Sequence, residues 1–139
     1  MDKVNIKIGI LGLGYVGLPL AIEFAKKFKV VGFDIKEQRV VELQNSLDGN
    51  NEANTDDLRA VLLGTSFSGL VLSSEPKALQ DCNVFIVTVP TPIDEFKAPD
   101  LEPLLKASNM VSKFLKKGDI VIYESTVYPG CTEEDCVPV

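Results

Sequence analysis

At 139 residues the chain has the length of one domain, enough for a real core and short for a two-domain enzyme. Its 45% hydrophobic and 24% charged residues are ordinary for a folded globular protein and argue against disorder. A net charge of −6 with no sustained Lys/Arg stripe argues against a nucleic-acid or anionic-membrane partner, since both need clustered positive charge.

Apolar runs reach about five or six residues, far below the roughly 20 needed to span a bilayer, so a soluble protein is expected. The opening "MDKVNIKIGIL" has neither an apolar core nor a small-residue cleavage site of a secretory leader. Cys82, Cys131 and Cys136 form no C-x-x-C pair, as expected of unpaired thiols in a reducing cytoplasm. The absence of histidine removes the commonest general base and the commonest zinc ligand, and no metal site is expected.

In chain order, "KIGILGLG" (7–14) is a short apolar run ending in glycines, and residues 15–28 follow with helical character. Pro19 suits the first turn of that helix, where backbone N–H groups lack intrahelical partners anyway. "VVGFD" (30–34) is the next strand, and residues 37–45 alternate with helical period. Residues 46–70 turn polar and read as a surface excursion carrying a short helix, "TDDLRAVLLG", whose first turn holds Asp56 and Asp57. "LVLS" (70–73) and "NVFIVTV" (83–89) are the third and fourth strands. The latter is apolar on both faces, as in a parallel sheet covered by helices on each side. Residues 100–118 show i, i+3, i+4 apolar spacing and end on Lys-Lys-Gly before the strand "DIVIYE" (119–124). Five strands alternating with helices predict a three-layer α/β domain over 1–139, a Rossmann-type doubly wound parallel sheet.

Gly12-Leu13-Gly14-Tyr15-Val16-Gly17 is a G-x-G-x-x-G set between a strand and a helix. Gly12 permits the tight turn, Gly14 lets backbone approach a pyrophosphate, and Gly17 lets the helix pack closely. The phosphates would then meet free N–H groups and the positive end of the helix dipole; a glycine turn used only for packing is the alternative. Asp34 closes the second strand about 22 residues after Gly12, where a carboxylate accepts hydrogen bonds from an adenosine ribose. It would repel a 2′-phosphate by about 1 kcal/mol per charge pair in water and about 4 at an intermediate dielectric, favouring NAD over NADP. Lys36 and Arg39 act against that preference if either reaches a 2′-phosphate, though both also read as solvent-facing helix residues.

"VPTPID" (89–94) stiffens a loop around Thr91 that either lies over a cofactor or is a plain connector. "EST" (124–126) follows the fifth strand in the same way, its hydroxyls reaching a nicotinamide or substrate, or capping a helix. Cys131 and Cys136 make a poor metal site and read as incidental thiols, with Glu133, Glu134 and Asp135 as the acidic first turn of a helix.

Together, "GILGLGYVGLPLA", "GFDIKEQRV", "VTVPTPIDE" and "ESTVYPGCTEE" resemble the amino-terminal domain of the UDP-glucose/GDP-mannose dehydrogenase family across essentially the whole chain. The variants "VPTPID" and "ESTVYPG" look most like the bacterial branch that oxidises UDP-N-acetylglucosamine or UDP-N-acetylgalactosamine for surface polysaccharides. The resemblance implies NAD contacts at Gly12, Leu13, Gly14, Tyr15, Val16 and Gly17, at Asp34 and Arg39, at Thr91, and at Thr126. Glu124 and Thr126 become active-site neighbours, and Arg39 a ribose-side ligand. Family members oxidise the sugar C6 alcohol to a carboxylate with two NAD, through a thiohemiacetal and a thioester on a cysteine of a later domain. None of the three cysteines here occupies that motif, so these residues are expected to bind NAD without turnover, UDP-sugar being bound only with further domains. Cys131 departs from the small or hydroxyl residue expected after "YPG". In the order 3-2-1-4-5-6, a sheet truncated before its sixth strand exposes "DIVIYE" as an apolar edge, with self-association through that edge or poor solubility the expected result; a homo-oligomer is the expected native assembly. A stand-alone NAD-sensing module is the alternative, and an S-adenosylmethionine methyltransferase finds no support in the "VPTP" and "EST" loops.

Overall fold

The structure is a computed structural model that describes residues 5–49, 54–93, 95–125 and 132–139. Its centre is a five-stranded, fully parallel sheet in the order β3-β2-β1-β4-β5, built from β1 (Lys7–Leu11), β2 (Lys29–Phe33), β3 (Gly69–Ser73), β4 (Val84–Val87) and β5 (Ile120–Tyr123). From β1 the chain steps outward to β2 and β3, then returns to pair β4 on the other flank of β1. Because parallel crossovers are right-handed, connections made in opposite directions cover opposite faces. Accordingly α1 (Gly17–Ala25), α2 (Glu37–Gln44) and α3 (Thr55–Leu63) pack into one apolar cluster with Ile8, Ile10, Val30, Leu70, Leu72 and Ile86. The second cluster, on the other face, joins Leu11, Val31, Phe33, Phe85 and Val87 to α4 (Glu102–Ser112). The strand order reverses between β1 and β4, which puts a ligand crevice outside their carboxyl ends.

Helix α1 buries Leu18, Ala21, Ile22 and Ala25, one stripe at i, i+3, i+4, i+7, and carries Pro19 in its first turn. Its regular part is shorter than residues 15–28. Helix α3 corrects the expectation of a surface excursion: Leu58 and Val61 are buried in the same cluster as α1. Its start is capped by the Asn54 side chain, which accepts hydrogen bonds from the N–H groups of Asp56 (2.9 Å) and Asp57 (3.3 Å). The strict alternation of strands and helices also fails, since only a 3-10 turn, Pro76–Leu79, lies between β3 and β4. Pro76 permits that turn at its first position, and Leu79 is wholly buried beneath it.

Helix α4 stops at Ser112 rather than running to the Lys-Lys-Gly. The Asp119 carboxylate accepts from the Lys116 N–H at 2.9 Å, giving that backbone a turn in place of another helical bond, and Gly118 completes it at φ 95°. Strand β5 is the flank of the sheet among the described residues, with Ile120 and Ile122 exposed on one face and Val121 and Tyr123 packed on the other. The acidic segment near the end is a single turn of π-helix, Thr132–Cys136. Among the described residues, no helix is long and apolar enough to cross a membrane.

Candidate functional site

The glycine turn sits at the reversal point and is fastened from several sides. Gly12 donates its N–H to the Phe33 carbonyl at 2.8 Å, extending the β1–β2 pairing by one residue. It then turns at φ 103°, where a Cβ would come within 2.9 Å of the Thr88 carbonyl oxygen and the Val89 nitrogen. The buried Thr88 hydroxyl, just beyond β4, lies 2.7 Å from the Gly12 carbonyl and 3.0 Å from that of Leu11, tying the turn to the neighbouring strand. A Cβ on Gly17 would overlap the Gly12 carbonyl oxygen and the Thr88 hydroxyl, so only glycine lets α1 begin this close. Gly14 differs: a Cβ there meets nothing within 4 Å, so its backbone faces open space. Among the described residues, the N–H groups of Tyr15, Val16 and Gly17 have no hydrogen-bond acceptor in the protein, as expected ahead of and within the first turn of a helix.

Leu13 behaves differently from a simple ligand contact. Its side chain is wholly buried in the first cluster, so only its backbone belongs to the site. The Leu13 N–H donates to Asp34 Oδ2 at 2.9 Å, and the Lys36 N–H donates to Asp34 Oδ1 at 2.9 Å. Each carboxylate oxygen keeps a further lone pair. On the other side of the same residue, Arg39 Nε and Nη2 both donate to the Leu13 carbonyl at 3.1 Å. Arg39 Nη1 donates to Asp48 Oδ1 at 2.8 Å, with Glu42 Oε2 3.6 Å away. The Arg39 side chain is 8% exposed and that of Asp48 1%, so the reading of Arg39 as solvent-facing is wrong. An arginine this buried persists because its charge is matched and its donors are used. Lys36 is exposed, as expected.

Thr91 is half-buried on the loop after β4, which closes on itself through an Ile93–Pro99 bridge and an Asp100 N–H to Pro92 carbonyl bond of 2.7 Å. Glu124 is exposed just past β5, and its N–H donates to the Val87 carbonyl at 2.9 Å. Ser125 Oγ donates to the Val89 carbonyl at 2.8 Å, joining the loop after β5 to the loop after β4 rather than capping a helix. Thr126 and Cys131 lie outside the described residues. An open groove of about 440 Å³ runs alongside, lined by Val16, Pro19, Leu20, Ile86, Ile122 and Glu124 among others. Thr88 and Asp48 are the structural members of this site that the motif pattern does not single out. Thr88 could have been suspected as the hydroxyl preceding "VPTP", whereas Asp48 reads only as part of a turn.

Cys82 and Cys136 are buried. Burial pushes the Cys82 thiol from 9.0 up to about 11, which leaves it almost wholly protonated near neutrality. A disulfide reagent at about pH 8 is expected to label Cys82 in urea but hardly at all in the native chain. Timed labelling followed by mass spectrometry checks this, and rapid native modification would contradict it.

A parallel sheet reversing between β1 and β4, with a glycine turn at that point and an acidic residue at the tip of β2, defines a dinucleotide-binding domain of Rossmann type. Residues 6–139 match the UDP-glucose/GDP-mannose dehydrogenase family, NAD binding domain, and the chain belongs to that family. Its dinucleotide is NAD, and the open side of Gly14 and the unused Asp34 lone pairs fit one. It is 58% identical over 135 residues to a UDP-N-acetyl-D-glucosamine 6-dehydrogenase of Pseudomonas aeruginosa, and 54% identical over 135 residues to one of Salmonella typhi. These alignments take in 97% of this chain and 31% and 30% of the two relatives, so the chain spans about a third of their length. Among solved structures, a UDP-D-ManNAc dehydrogenase from Pyrococcus horikoshii superposes with a TM-score of 0.84 at 38% identity, over 92% of this chain and 30% of that one.

Proposed function

We propose that the chain supplies the NAD-binding part of a nucleotide-sugar 6-dehydrogenase that takes the C6 alcohol of a UDP-N-acetylhexosamine to the carboxylate, in the cytoplasm, for surface-polysaccharide synthesis. The observation that carries this reading is the Asp34 carboxylate. Two backbone N–H groups hold it at the tip of β2, and it keeps two lone pairs for a ribose diol. Bound NAD supplies the hydride acceptor. The unbonded N–H groups of Tyr15, Val16 and Gly17 receive the pyrophosphate, helped by the dipole of α1, and Gly14 admits it. Gly12 and Leu13 shape that turn through their backbones. Arg39 acts on the ribose side by fixing the Leu13 carbonyl rather than by reaching out as a free cation.

In this reading Thr91 and Thr126 contribute contacts to NAD, and Glu124 is a neighbour of the active site. The covalent thiol of the reaction belongs to residues other than Cys82 and Cys136, which are buried. A homo-oligomeric assembly accompanies this reading, with the exposed Ile120 and Ile122 of β5 available for cover.

Titration calorimetry on the chain is expected to find NAD bound at least about tenfold more tightly than NADP, from the like charge at Asp34. Equal or reversed affinities would remove the role given to Asp34. Oxidation of UDP-N-acetylglucosamine by these 139 residues alone would overturn the placement of the thiol elsewhere.

A further inference from the structure

Strands β4 and β5 stay joined beyond the point where their regular pairing stops. β5 donates to β4 in a fixed register, Ile120 N–H to the Asn83 carbonyl at 3.0 Å and Glu124 N–H to that of Val87 at 2.9 Å. Val89 carries the next carbonyl in that series. It accepts from the Ser125 hydroxyl at 2.8 Å, a side-chain bond between residues 36 apart in the chain. We infer that Ser125 is a positioning residue for the nicotinamide half of the cofactor: by holding the Val89 carbonyl, it sets the loop after β4 against the loop after β5. The inference rests on the NAD-binding reading above.

The direction of the dinucleotide follows from the strand order. Asp34 at the tip of β2 takes the adenosine ribose and the turn after β1 takes the diphosphate, so the remaining half runs away from β2, over β4 and β5. At those two strand ends stand the loop that carries Thr91 and the segment that begins at Glu124. Pro90 and Pro92 contribute no N–H of their own to that loop. Donors from elsewhere reach its carbonyls instead, Ser125 for Val89 and the Asp100 N–H for Pro92. The hydroxyl of Ser125 has one proton, and that proton is spent on Val89. Ser125 therefore acts on the cofactor through the loop rather than as a donor to the ring. Without its bond the ligand must order the loop on arrival, which weakens affinity for the part that the loop touches.

NAD and ADP-ribose share the adenosine, the diphosphate and the second ribose and differ in the nicotinamide, so their affinities read the two halves separately. Ser125→Ala is expected to weaken NAD about fivefold by calorimetry, the worth of one neutral hydrogen bond, and to leave ADP-ribose within about twofold of the parent. Ser125→Thr keeps a hydroxyl and should hold the parent ratio. In the unliganded Ser125→Ala chain the Thr91 amide resonance should shift, because the loop has lost a fastening. Unchanged NAD affinity, equal weakening of both ligands, an unmoved Thr91 resonance, or a Ser125→Thr chain that behaves like the alanine variant would each overturn the inference. A parent chain that bound neither ligand would instead overturn the NAD reading. Should Ser125→Ala fail to fold, the parent decides by NMR. Its Val89, Thr91 and Ser125 amides should shift with saturating NAD and stay in place with ADP-ribose, and any other pattern overturns the inference.

Discussion

Replacing Gly17 with alanine is expected to abolish NAD binding and to destabilise the chain by about 3 kcal/mol or more, the upper end for an overpacked site. The added methyl would overlap the Gly12 carbonyl oxygen and the Thr88 hydroxyl. The first is backbone, held in place because the Gly12 N–H bonds Phe33 at 2.8 Å, and the second is fixed by its bonds to the Leu11 and Gly12 carbonyls. Neither can move without dismantling the turn. Gly14→Ala is the companion variant: its methyl enters open space, so stability should stay within about 1 kcal/mol of the parent while NAD affinity falls. Urea denaturation and calorimetry on both variants separate the two roles. A Gly17→Ala chain as stable as the parent would show that α1 can withdraw from the turn.

Asp34→Ala carries the second large effect. Two charge-assisted hydrogen bonds to the ribose would be lost, together worth about 3 kcal/mol or roughly a hundredfold in NAD affinity. The Leu13 and Lys36 N–H groups would lose their acceptor at the same time, so the turn itself should loosen. Asp34→Asn keeps the shape and removes the charge. It should therefore weaken NAD less than alanine does, while narrowing the gap to NADP by about 1 kcal/mol or more. Parent-like NAD affinity in Asp34→Ala would place the ribose somewhere else.

The elements nearest the site were the most legible in the sequence, and for a local reason. Glycine at 12 and 17 answers to contacts within the turn and the adjoining strand end, and Asp34 bonds the backbone of Leu13 and Lys36, so spacing alone carries the meaning. The solvent-facing reading of Arg39 fails because a charged side chain on an amphipathic helix ordinarily faces water, and this one does not. What buries it is an acid from the following loop and a carbonyl 26 positions back in the chain. The α3 segment hid its core role in the same way: its polar beginning masks Leu58 and Val61, which acquire a face only once α1 lies beside them. The early end of α4 depends on one carboxylate, Asp119, competing for the Lys116 N–H, a choice that apolar periodicity does not register.

The threonine at position 88 has a consequence beyond fastening two strands. With Thr88, Asp34 and Arg39 each bonded to the backbone of residues 11–13, the anion-receiving loop is shaped when the protein folds rather than when the nucleotide arrives. The conformational entropy of that loop is then lost in folding, where the core offsets it, and the ligand meets a rigid template instead of one it must organise. Association of this kind should be fast and insensitive to loop composition, and discrimination among nucleotides should rest on charge and fit rather than on which ligand can induce closure.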